Sequence, residues 1–112
     1  MQLKRALIVQ KFWLDKILDE GKCWEQRTTK TNIRGKIGLI EAGTGLIVGE
    51  VFITGCCENP TPKTKDFIKH HQIENLELLD KWKYAWYLSN ANRYKTPIPY
   101  KHPKGAVVWV KL

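Results

Sequence analysis

Apolar and polar positions follow two different periods along this chain, and the switches between them mark out its elements. Ala6 to Val9 is a short apolar run suited to a buried strand. Lys11 to Glu20 changes to a helical period, with Trp13, Leu14, Ile17 and Leu18 on one face and Asp15, Lys16 and Asp19 opposite. Gly21 stands where a left-handed C-terminal cap is wanted, whereas no good N-cap residue precedes Lys11. Cys23 to Arg27 returns to strand, and Thr28 to Asn32 is polar and turn-rich. Lys36–Glu41 and Leu46–Thr54 read as two strands joined by Ala42-Gly43-Thr44-Gly45, a hairpin signal. Gly49 inside the second strand implies a bulge or the close approach of another backbone.

Asn59-Pro60-Thr61-Pro62 then breaks the β pattern. Thr61 can cap a helix with Pro62 at its first position, running to His71 with Phe67, Ile68 and His71 inward. Asn75 caps a shorter helix through Leu79. Tyr84 to Leu88 predicts a strand with Tyr84, Trp86 and Leu88 on one face. Pro97, Pro99 and Pro103 predict a rigid extended loop, and Ala106 to Leu112 a closing strand. There is no internal repeat and no low-complexity segment. Several modest strands in 112 residues curl to hide their edges. The expected fold is α+β, a small mixed or antiparallel β-barrel of about five or six strands with flanking helices. The length is that of a single domain over residues 1–112, too short for two cores.

An apolar fraction of 43% and five Trp residues are enough to build such a core. The 19 Lys and Arg against 11 Asp and Glu give a net charge of +8, which points to polyanionic partners. Nucleic acid comes before an anionic membrane, since no basic amphipathic helix is evident; a merely soluble basic protein is the plainer alternative. Three cysteines, Cys23, Cys56 and the adjacent Cys57, make neither a disulfide framework nor a CxxC zinc pair. They fit the reducing cytoplasm. The opening MQLKRALIVQ is interrupted by Lys11 and lacks a small-residue cleavage site. No stretch approaches the roughly 20 apolar residues of a membrane span, so a soluble cytoplasmic protein is expected.

The densest charged constellation is Gly21-Lys22-Cys23-Trp24-Glu25-Gln26-Arg27. A strand period of two puts Cys23, Glu25 and Arg27 on one face and Lys22, Trp24 and Gln26 on the other. Lys22 and Glu25 therefore share one cleft only if Lys22 lies in the turn before the strand, which Gly21 makes easy. An inward Glu–Arg pair either faces a solvated cleft or locks barrel register, and both readings stand. Among the aromatics, Trp24 and Tyr100 are the candidate base stackers, the second because Pro99, Lys101 and His102 surround it. Lys63, Lys65 and Lys69, beside His70 and His71, form one basic face; Lys95, Lys101, His102 and Lys104 form another. Either can track phosphates or simply be solvated. The three histidines lack ligand spacing, so neither metal nor cofactor is expected. Gly43-Thr44-Gly45 is too short for a phosphate loop.

The G-K-x-x-E-x-R pattern of residues 21–27 after an amphipathic helix resembles the signature of ASCH domains, in the PUA-like superfamily, of the small stand-alone bacterial type. Arg34-Gly35, Gly49-Glu50-Val51, Tyr84-Ala85-Trp86-Tyr87-Leu88 and Gly105 through Val110 extend the resemblance over nearly the whole chain. It implies a PUA-like barrel with a cleft between barrel and helices, lined by Lys22 and Glu25, with Arg27 at the signature's last position. Similar domains are linked to RNA binding. A branch of the family removes the acetyl group from acetylcytidine with a set that resembles a Lys, a Thr and a Glu from a second segment. Lys22 matches that Lys, Glu25 stands where the Thr would be, and Glu58, Glu74 and Glu77 are all possible partners. A carboxylate cannot replace a hydroxyl nucleophile, so catalysis by Lys22 and Glu25 would need Glu25 as a base on water.

The leading expectation is a domain that binds single-stranded RNA, another nucleic acid or a nucleoside, without a cofactor. Lys22 supplies charge or a donor, Glu25 accepts from an exocyclic amine, and Arg27 orients Glu25 or contacts phosphate. Lys63, Lys65, Lys69, Lys101 and Lys104 are the phosphate-contact candidates. The alternatives are an amidohydrolase acting on acylated cytidine, a weak ribonuclease, and a protein-interaction module.

Overall fold

The computed structural model describes residues 3–59 and 67–112. Strand β1 (Arg5–Val9) leads into helix α1 (Lys11–Asp19), followed by β2 (Trp24–Arg27), β3 (Gly35–Glu41) and β4 (Leu46–Glu58). Two one-turn helices, α2 (Ile68–His71) and α3 (Leu78–Lys81), precede the long β5 (Tyr84–Pro99) and the short β6 (Trp109–Lys111). The strands form one sheet in the order β2-β5-β4-β3-β1-β6. Only β1 and β3 pair in parallel; every other neighbour is antiparallel. The sheet curls into a half-barrel, the PUA-like architecture expected from the sequence, and no helix among the described residues is long and apolar enough to cross a membrane.

Strand alternation decides what the curl encloses. Leu7 and Val9 join Ile37, Leu39, Val51, Ile53, Trp86 and Leu88 in the main core. Leu14 and Ile17 of α1 join the same cluster, so the helix closes the open side of the curl. Each of these buried aliphatics contributes about 1.5–3 kcal/mol. Ala6, pointing the other way, packs in a second cluster with Ile40, Ile47 and Val110. Trp109 packs half-buried on the main core, parallel to Trp86 with ring centres 5.9 Å apart.

The hairpin turn falls at residues 42–45, with Gly43 and Gly45 at φ +82° and +71°. Gly49 lies where the register slips and where a Cβ would sit 2.6 Å from the Asn92 carbonyl oxygen. Both readings of that glycine, bulge and close approach, therefore apply.

Four elements differ from expectation. β4 runs past Thr54 to Glu58, paired with β5 through Glu58↔Tyr84. β5 does not stop at Leu88 but continues through Pro97 to Pro99. β2 covers only Tyr84–Tyr87, so further along β5 pairs on one side alone and a proline breaks no second ladder. The closing strand is three residues long, because Pro103 and Gly105 (φ +83°) hold residues 101–106 out of the sheet. Asn75 Oδ1 accepts from Glu77 N–H at 3.1 Å, but the helix it introduces begins at Leu78. The expected start at Thr61 and Pro62 lies outside the described residues.

Candidate functional site

α1 ends at Asp19, and Gly21 at φ +77° turns the chain back so that Lys22 N–H reaches the Lys16 carbonyl at 3.0 Å. Lys22 thus belongs to the turn and not to the strand. Its side chain enters from the turn, Glu25 and Arg27 from β2, and all three line one cleft of about 220 Å³. Ile8 and Val9 at the end of β1, Gln10, Trp13, Gln26, Ile73, Trp82 and Val107 complete its lining.

Lys22 is only 2% exposed, and its ammonium is held by two backbone carbonyls, those of Trp24 (2.6 Å) and His71. Nζ also stands 4.0 Å from Glu25 Oε1 and 5.1 Å from the centre of the Trp13 ring. Burial pushes its pKa down to about 8, against the opposing pull of Glu25. Arg27 grips the other carboxylate oxygen, Oε2, through Nε at 3.1 Å and Nη2 at 2.9 Å. The same Nη2 donates to the Ile8 carbonyl at 3.0 Å, which ties β2 to β1 across the cleft.

Two groups are left over. Glu25 Oε1 takes no hydrogen bond from the described residues, and neither does Arg27 Nη1 give one. A carboxylate oxygen accepts and a guanidinium only donates, so the residues of the cleft keep one acceptor and one pair of donors without a hydrogen bond.

The aromatic wall is Trp13 and Trp82, packed edge to face with ring centres 5.8 Å apart. Gln26 fixes this wall: with its amide nitrogen turned toward them, it donates to the carbonyls of Trp82 (3.1 Å) and Tyr84 (3.0 Å). Trp82 escaped the sequence reading. Its one signal was an aromatic between Lys81 and Lys83, outside the apolar period of the short helix before it.

Trp24 is not in the wall. Alternation turns it to the opposite face of β2, where it stacks on Phe67 (5.2 Å) and His70 (4.8 Å). Tyr100 is also elsewhere: it packs on the second core cluster, with its hydroxyl 2.8 Å from His102 Nδ1. Lys69, Lys101 and Lys104 are exposed outside the cleft, and Lys63 and Lys65 lie outside the described residues.

His71 supports the site from behind. Its Nδ1 accepts from Ile73 N–H at 2.9 Å, while Nε2 is buried without a partner among the described residues. Burial, with Lys22 and His70 adding to it, pushes its pKa down to about 4, so the ring is neutral near pH 7. Among the described residues no group of three or more His, Cys, Asp or Glu is arranged to hold a metal ion.

The family model of the ASCH domain matches residues 7–98. No curated protein matches the chain significantly. Among solved structures, the ASCH protein from Zymomonas mobilis superposes with a TM-score of 0.70 at 10% identity, covering 96% of this chain and 86% of that one. Two single-residue mutants of that protein give TM-scores of 0.69 and 0.64 at the same 10% identity. They cover 96% and 99% of this chain, and 87% and 91% of theirs. At that identity the likeness speaks for the fold, and the family match, over most of the sequence, speaks for descent. The chain belongs to the ASCH domain family.

Proposed function

We propose that the cleft holds one nucleobase, free as a nucleoside or as part of a single-stranded RNA. The observation that carries this is that Glu25 Oε1, though ion-paired with Lys22 at 4.0 Å, and Arg27 Nη1 take part in no hydrogen bond among the described residues, in a cleft walled by two tryptophans. An exocyclic amine donates to the first, a ring nitrogen or carbonyl accepts from the second, and the base plane lies on indole. The volume of about 220 Å³ falls below the ~300–1,000 Å³ of pockets for drug-sized ligands, which favours a single base. On this reading the whole chain, 1–112, is one nucleic-acid-binding domain acting in the cytoplasm. Lys69, Lys101 and Lys104 are peripheral phosphate contacts.

The test is quenching of tryptophan fluorescence on titration with cytidine, adenosine and acetylcytidine. Saturable quenching by at least one is expected, with an affinity about tenfold lower in Glu25→Gln, the scale of one hydrogen bond to a charged group. No saturation with any of them, or a loss that only follows the thermal midpoint, would leave a protein-interaction module in its place.

One observation favours a second reading, hydrolysis of an acylated base. A lysine with a pKa lowered to about 8 beside a carboxylate is the kind of pair that catalytic sites assemble. Turnover of acetylcytidine that disappears in Glu25→Gln would establish it.

A further inference from the structure

The basic residues outside the cleft are not spread evenly. A second, wider groove of about 590 Å³ opens at the N-terminal end of β1. Lys4, Arg5, Arg34 and Lys36 line it together with Asn32, and its lining contains no carboxylate residue. Lys36 has an acidic partner in Glu50, at 3.1 Å; Lys4 and Arg5 have none among the described residues. Arg34 is pre-positioned, since its Nη1 donates to the carbonyls of Thr31 (2.9 Å) and Ile33 (2.8 Å) while Nε and Nη2 give no hydrogen bond among the described residues. Register adds to the charge. Arg5 stands directly opposite Lys111 across the β1–β6 pair, and like charges so opposed destabilise a sheet.

The groove is also placed on a path. Arg5 lies three residues before Ile8 of the cleft, with the fully buried Ala6 and Leu7 between them, so the surface route from groove to cleft runs over another segment. The polar stretch 28–31 joins Arg27 of the cleft to Asn32 of the groove.

We propose that this groove binds the phosphodiester backbone of a single-stranded nucleic acid, continuing the path of a strand whose base lies in the cleft. The continuation rests on the reading of the cleft given above; the backbone site does not. Guanidinium and ammonium groups in a concave row suit phosphate oxygens, and Asn32 adds an amide donor.

The experiment is fluorescence anisotropy of a labelled single-stranded RNA over a range of salt. It compares the unmodified protein with Lys4→Gln/Arg5→Gln, with Arg34→Gln, and with two double variants elsewhere, Lys11→Gln/Lys83→Gln and Lys101→Gln/Lys104→Gln. Each lost phosphate contact lowers the slope of log affinity on log salt by about 0.7 for a single strand. A fall of about 1 to 1.5 is therefore expected in Lys4→Gln/Arg5→Gln and a smaller one in Arg34→Gln, with little change from Lys11→Gln/Lys83→Gln. Circular dichroism confirms that each variant folds, and Arg34→Lys, which keeps the charge, restores part of the slope. An unchanged slope in the groove variants, an equal fall in all pairs, or a fall confined to Lys101→Gln/Lys104→Gln overturns the proposal. The nucleoside titration runs alongside. A groove-dependent slope in a protein that binds no nucleoside would uphold the backbone site and refute only the cleft.

Discussion

A lysine buried as deeply as Lys22 holds its proton less tightly than the same lysine in the unfolded chain. Its folded pKa, about 8, lies below the ordinary 10.5, so the charged form carries a desolvation cost at neutral pH. Between those two values the unfolded chain binds the proton and the folded one does not, so stability rises with pH through that window. Replacing Lys22 by Met removes the titration and keeps the bulk. Urea unfolding from neutral pH to about pH 10 should show the unmodified protein gaining on Lys22→Met by about 1–3 kcal/mol. A constant gap would mean that the ammonium is effectively hydrated. The convergence of Lys22, Glu25 and Arg27 was legible in the sequence because it depends on local features, a glycine cap and a strand period. The aromatics were not. Trp13, Trp24 and Trp82 are equivalent as letters, and chain more than 40 residues away decides which of them faces the cleft: Phe67 and His70 cover Trp24.

The turn at Gly21 positions a residue of the cleft and the bulge at Gly49 lies away from its lining, and they should respond differently to one added methyl. At Gly21 a Cβ meets nothing within 4 Å, so Gly21→Ala costs only the left-handed backbone, about 1–2 kcal/mol. At Gly49 the Cβ meets the Asn92 carbonyl oxygen at 2.6 Å and Leu18 Cδ2 at 2.9 Å, where β4, β5 and α1 converge. Overpacking of that kind costs about 1–3 kcal/mol or more. Chemical denaturation should rank Gly49→Ala at or above Gly21→Ala in lost stability, while only Gly21→Ala weakens nucleoside binding, because it moves Lys22. Equal effects of both on binding would show that the cleft depends on the whole sheet and not on that turn. The hairpin and the close approach at Gly49 were readable because turn residues and an out-of-place glycine are local marks. The length of β5 was not: Pro97 and Pro99 signal a loop unless one knows that β2 leaves that edge of the strand free.

The half-barrel holds its cleft together through contacts distant in sequence, and α2 is the clearest case. Cys23 N–H donates to the His70 carbonyl at 2.8 Å, Lys22 Nζ donates to the His71 carbonyl, and Trp24 stacks on His70. His71 is buried at the centre of that junction, receives Ile73 N–H on Nδ1, and is neutral because burial and the neighbouring Lys22 and His70 lower its pKa to about 4. An unfolded histidine titrates near the ordinary 6.5. Between about 4 and 6.5 the unfolded chain therefore binds a proton that the folded chain refuses, and stability falls as pH falls through that window. The Lys22 titration adds a gain on the alkaline side, so the two buried basic groups together make the molecule more stable in mild base than in mild acid. Subtracting a His71→Asn variant, which keeps an acceptor near the Ile73 amide without the titration, isolates the first contribution from Asp15, whose pKa Lys11 and then Arg93 lower, and from Asp19, whose pKa Arg93 lowers. The expected result is that the unmodified protein loses about 1–3 kcal/mol relative to His71→Asn as pH drops from about 7 to about 4. Nucleoside binding should weaken over the same range, because protonating His71 places a second cation against Lys22 and loosens α2 from β2. A stability difference that stays flat with pH would show that the imidazole is solvated, and the junction would then owe its strength to the stacking of Trp24 on Phe67 and His70.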